Sequence, residues 1–182
     1  IEVIASETSQ LGHEDARMFN ISQNVMALLF GRFLPPMQGI EKLNIALSDT
    51  IEKPETSGPV QYFPFILTDW PFDFQEYFSL DQYERRKYIA ETLHEALEHI
   101  CTELGYDPQP FRHAYEKVKE LDYQNAYTPG KLKASPDRRH KAAVHIRVEE
   151  AFAELSALIQ DKDGNETARI PLIRTQPHYM FI

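Results

Sequence analysis

The sequence predicts an α+β fold: a largely antiparallel sheet packed against a helical pair, with an additional N-terminal helix. Three patterns carry that expectation. Apolar residues recur at helical spacing over residues 12–33 and over two further stretches between Ser79 and Leu121. They alternate over Lys42–Ser48 and again through the last third of the chain. A polar "DKDGNE" then separates two alternating segments, as a hairpin turn does. The length of 182 residues suits a single domain, read as an N-terminal strand and helix extension at 1–36 and an α+β core at 40–182.

The elements follow in order. Residues 1–5 read as a short strand. Residues 12–33 read as a helix, with Met18, Ser22, Val25, Leu29 and Phe33 on one face, Met26 and Phe30 widening it, and Pro35-Pro36 after it. "KLNIALS" places Leu43, Ile45 and Leu47 on one side of a half-buried strand. A polar loop at 51–59 leads to a second strand, "QYFPFIL", where Pro64 demands an edge or a bulge because it lacks an N–H. "SLDQ" reads as a capping box with Ser79 as the cap, opening a helix to Leu104 that Gly105 stops. Asp107 and Pro108 start the next helix, whose buried stripe is Phe111, Ala114 or Tyr115, Val118 and Leu121. A loop over 127–137 precedes one long strand. Val144, Ile146 and Val148 alternate before Glu149-Glu150, and Ala151 to Ile159 alternate in the opposite parity after it, which implies a bulge at the paired glutamates. "TARIPLIRT" is the hairpin partner, and "HYMFI" a short final strand.

Charge narrows the function classes. The net charge is -9, and phosphate backbones repel such a surface, so direct nucleic-acid binding is not expected. Such a surface can still bind a basic protein partner, and opposite charge would speed their encounter. The single cysteine, Cys101, excludes an internal disulfide and fits a reducing cytoplasm. No apolar run reaches the roughly 18 residues of a membrane span. No cofactor motif is present: there is no glycine-rich phosphate loop and no G-x-S-x-G elbow.

"LHEALEHI" imitates a zinc motif without satisfying one. H-E-x-x-H needs histidines at i and i+4, and position i+4 from His94 is Glu98. His94 and His99 are five residues apart and diverge by about 140° around a helix. Helical phase sets Leu93 at the centre of the buried stripe, Glu95, Glu98 and His99 on the wet side, and His94 at the border. A metal-dependent hydrolase would draw on His94, Glu98 and His99, helped by His113, His140 or His145. "DKDGNE" fails as a calcium loop, because its sixth position is Glu166 and its twelfth is Leu172. "DRRHK" at 137–141 reads as a solvated basic loop.

"TDWPFDFQEYF" is the richest stretch. It mixes Trp70, Phe72, Phe74, Tyr77 and Phe78 with Asp69, Asp73 and Glu76. These rings either seal sheet onto helix or anchor a partner that the carboxylates steer in. On the second reading, the partner-binding residues are Asp69, Trp70, Asp73 and Glu76, with Glu149 and Glu150 from the paired glutamates.

The succession "YFSLDQYERRKYIAETLHEAL", "LGYDPQPFRHAYEKV", a long strand, "QDKDGNETARIPLIRT" and "PHYMFI" resembles bacterial immunity proteins, which neutralise polymorphic or contact-delivered toxins. The likeness spans roughly residues 43–182 and leaves out the N-terminal helix. It implies a cytoplasmic, non-enzymatic protein that binds a cognate toxin, for instance a nuclease with a basic cleft. It carries over no site residues, because such surfaces differ with each toxin.

Overall fold

The structure, a computed structural model, describes residues 1–5, 10–37, 39–53 and 58–177. Helices and strands are mixed in an α+β chain, and its contacts divide into two compact units, Ile1–Gln124 and Asn125–Ile182. One domain was expected; the boundary falls after the last helix, where the chain passes from helices to hairpins.

The first unit is built on a four-stranded sheet of order β1-β2-β4-β3. Strands β1 (Glu2–Ala5), β2 (Lys42–Ser48) and β4 (Phe65–Pro71) run parallel, and β3 (Val60–Tyr62) is antiparallel to β4. Helix α1 (His13–Gly31) is the crossover between β1 and β2 that parallel pairing requires. Residues 1–36 are therefore part of the core and not an extension of it. Phe19, Val25, Met26, Ala27, Leu29 and Phe30 of α1 are all buried. Gln23, also buried, donates from Nε2 to the Val3 carbonyl and ties α1 to β1. The side chains of Met18 and Ser22 lie outside the described residues.

Alternation decides which face of this sheet is covered. Val3, Leu43, Ile45, Leu47, Ile66 and Trp70 share one face and are buried. Each full aliphatic burial stabilises by about 1.5–3 kcal/mol. The expected strand over "QYFPFIL" is instead a hairpin: Phe63 and Pro64, joined by a cis peptide bond, form the turn between β3 and β4. Pro64 thus sits where no ladder hydrogen bond is asked of it.

Two helices and a short one complete the unit. In α2 (Phe74–Ser79), the Glu76 N–H donates to the Asp73 side chain. In α3 (Gln82–Leu104), the Glu84 N–H donates to Asp81 Oδ1 at 3.0 Å. The cap of α3 is thus Asp81 rather than Ser79, whose hydroxyl donates back to the Glu76 carbonyl at 2.7 Å and closes α2. Gly105 ends α3 at φ 72, the left-handed stop its position calls for. Asp107 Oδ1 then accepts from the Gln109 N–H, and α4 (Gln109–Glu120) buries Phe111, Ala114 and Val118.

The second unit is an antiparallel sheet of β5 (Asn125–Tyr127), β7 (His140–Val148), β8 (Ala153–Asp161) and β9 (Glu166–Thr175), with β6 (Lys133–Ala134) paired to β7. The loop expected over 127–137 therefore gives residues to β5 and β6. The single long strand with a bulge is a hairpin. The Glu149 N–H donates to the Phe152 carbonyl at 2.8 Å, and Val148 pairs with Ala153. A reversal shifts apolar parity as a bulge does, and it puts Val144 beside Ala157 and Ile146 beside Leu155 on one face. The β8–β9 turn matches its expectation, with Gly164 at φ 89 and Asp161 Oδ1 accepting from the N–H groups of Asp163 and Asn165. The final strand expected at 178–182 lies outside the described residues. No helix among the described residues is long and apolar enough to cross a membrane.

Candidate functional site: an acidic cleft at the ends of parallel strands

The segment from β4 into α2 sorts its side chains strictly. Trp70 turns inward, is 7% exposed, and lies 5.4 Å from the His99 ring. Phe72, Phe74 and Tyr77 gather around Phe19 of α1, with centroids 5.4, 5.1 and 5.1 Å from it. Such tilted and edge-on contacts add to the area buried. These rings seal the sheet onto the helices, and Trp70 is not an anchor presented at the surface.

The polar residues between them line a cleft of about 610 Å³ where β2 and β4 end. Its carboxylates are Asp49, just past β2, Glu52, and Asp73, just past β4; Phe72, Phe74 and Tyr88 supply aromatic wall. Among the described residues, no lysine, arginine or histidine lines it. Clefts at the carboxyl ends of parallel strands are where open α/β sheets take ligands, because the loops there are free to carry side chains.

Local bonds fix the acids. The Gln10 N–H donates to Asp49 Oδ1 at 2.9 Å, and Asp73 Oδ1 accepts from the Glu76 N–H at 2.8 Å. Burial raises the Tyr88 hydroxyl pKa, and the Glu76 carboxylate beside it adds to that shift. Tyr88 therefore keeps its proton as a donor and is no base. Chemically, the cleft can hold a cation by charge-assisted hydrogen bonds against an aromatic wall; it contains no activated nucleophile.

The residues singled out from sequence separate here. Asp73 lines the cleft and Glu76 faces Tyr88 at its edge. Asp69 points to the other face of the sheet, in register with Ala46. Glu149 and Glu150 belong to the second unit. Glu149 is buried and accepts from Arg147 Nε at 2.8 Å, so its charge is offset. Asp49, Glu52 and Tyr88 were missed. The signal for them was positional: Asp49 follows the last residue of a strand, which matters only once the strands are seen to be parallel.

His94 and His99 are packed against aromatic rings, whereas His113 and His140 are exposed. The His94 ring stacks on Tyr115 and its Nε2 lies 3.9 Å from Glu98 Oε1, while Glu98 also accepts from Arg112 Nε. His99, placed on the wet side by phase alone, is half-buried against Trp70. Among the described residues, no three of His, Cys, Asp and Glu converge to hold a metal ion. Burial pushes the Cys101 thiol up to about 11, the reverse of what a nucleophile needs.

No family model matches the chain, and neither a curated protein nor a solved structure matches it. The reading of the cleft therefore rests on its own chemistry.

Proposed function

We propose that this chain is a binding protein that neutralises a basic protein toxin, as bacterial immunity proteins do, and that the cleft receives a basic side chain of that partner. The observation that carries the reading is the lining itself: Asp49, Glu52 and Asp73 around an aromatic wall, with no basic residue among the described residues that line it. A lysine or arginine entering the cleft meets two carboxylates, Asp49 and Asp73, already held by backbone N–H groups, so little order is lost on binding. The net charge of -9 draws a basic protein towards the surface and speeds encounter.

The experiment is co-purification with the product of a toxin gene encoded beside it, followed by rescue of growth. The expected result is a complex that weakens as salt rises, and a loss of about tenfold or more in affinity for Asp49→Asn combined with Glu52→Gln. A chain that neither binds that product nor protects the cells ends this reading.

A further inference from the structure

The second face of the first unit's sheet leaves several apolar side chains exposed. On it the register sets Val60 beside Leu67 and Tyr62 beside Phe65, then Asn44 beside Leu67 and Ala46 beside Asp69. Val60, Tyr62, Phe65 and Leu67 are 47, 63, 42 and 39% exposed, although each sits in a regular strand. Between them and β1 runs a groove of about 480 Å³, floored by Ile4, Asn44, Ala46, Leu67 and Asp69. Apolar strand residues left open in a contiguous patch mark an interaction surface.

The polar groups in the groove define what it takes. Asn44 Oδ1 is buried and accepts no hydrogen bond. Among the described residues, no donor or cation is paired with the Asp69 carboxylate. Asn44 Oδ1 is shielded from water, where an unmet acceptor is costly, while Asp69 is a half-exposed carboxylate open to a cation. Lys42, on the same face, is already paired with Glu2. A second copy docked by this same face would set another Asp69 against the first, and like charge disfavours that pairing.

We propose that this groove docks a segment of a protein partner in which an aliphatic or aromatic side chain stands next to an arginine or lysine. The apolar side chain lies on Leu67 and Tyr62, and the cationic head donates to the Asp69 carboxylate at the groove's floor. Arginine suits Asp69 best, because its planar fork matches the two oxygens of one carboxylate. The surface is separate from the cleft, and it stands or falls by its own variants.

The test is selection of a random displayed-peptide library on the full chain. The expected outcome is enrichment of peptides with arginine or lysine beside an apolar residue. A synthetic copy of an enriched peptide then binds about tenfold more weakly to Leu67→Lys and about fivefold more weakly to Asp69→Asn, and equally well to the cleft variant Asp49→Asn combined with Glu52→Gln. Tyr62→Lys, at a more exposed position, repeats the test should Leu67→Lys unfold, as judged by circular dichroism. Lack of enrichment, enrichment of acidic or uncharged peptides, or loss on the cleft variant but not on the face variants overturns the proposal. Loss of toxin binding with the peptide result intact counts against the cleft alone.

Discussion

The His94 imidazole lies flat on the Tyr115 ring, centroids 4.2 Å apart and planes 11° from parallel. This contact joins α3 to α4, and Tyr115 extends it to Phe30 of α1 at 6.3 Å and to the Lys119 ammonium at 5.0 Å. The histidine that made "LHEALEHI" look like a metal motif is thus part of a stack between helices. Tyr115→Ala removes the shared ring and is expected to cost about 2–4 kcal/mol in urea unfolding. A cost below about 0.5 kcal/mol, the scatter of neutral surface changes, would show that the stack contributes nothing.

The start of α3 gives a paired comparison. Asp81 accepts the Glu84 N–H, whereas Ser79 serves the end of α2. Asp81→Ala is expected to destabilise by about 1 kcal/mol, the usual worth of an N-cap. Ser79→Ala should cost clearly less, because it removes one exposed bond to a carbonyl that water can satisfy. The reverse order in denaturant midpoints would restore the capping box read from "SLDQ".

What was legible in the sequence was set by local chemistry. Leu43, Ile45 and Leu47 alternate because one face of β2 is buried, and Leu93, Leu97 and Ile100 recur because one stripe of α3 is. Gly105 and Gly164 marked their turns because few other residues take positive φ at low cost. Pairing was not legible in the same way. "QYFPFIL" has strand composition on both sides of Pro64, so a hairpin and a strand look alike. The parallel order of β1, β2 and β4 depends on α1 crossing between strands far apart in sequence, and no residue announces it. The cleft was half visible for that reason: Asp73 stood among conspicuous aromatics, whereas Asp49 and Glu52 are ordinary loop acids until parallel pairing brings them beside it.

The Cys101 thiol makes a pH dependence. Burial, with Asp107 and Glu98 nearby, raises it from 9.0 to about 11. The folded chain holds a proton that the unfolded chain releases, so this group's contribution is complete below pH 9.0 and is lost as pH climbs to about 11. Tyr115, raised from 10.0 to about 12, acts in the same direction at higher pH. The urea midpoint should therefore fall more steeply over that window in the wild type than in Cys101→Ala. Equal slopes would place the thiol in contact with water. A thiol reagent at neutral pH should also label Cys101 slowly when folded and quickly in denaturant.

Phe19 tests whether the N-terminal helix is core. Its ring meets Phe72, Phe74 and Tyr77, which together back the wall of the acidic cleft, and it is fully buried. Were residues 1–36 an appendage, truncating one of its side chains would leave the remaining fold nearly untouched. With α1 as the β1–β2 crossover, Phe19→Ala opens a cavity in the aromatic cluster and is expected to cost about 3–5 kcal/mol. On the proposed function, the same variant should also weaken partner binding at the cleft through Phe72 and Phe74, because the carboxylate of Asp73 is positioned by the chain between them. Phe19→Leu, which refills part of the volume, should recover much of the stability. A loss under about 1 kcal/mol for Phe19→Ala would return α1 to the role of an extension.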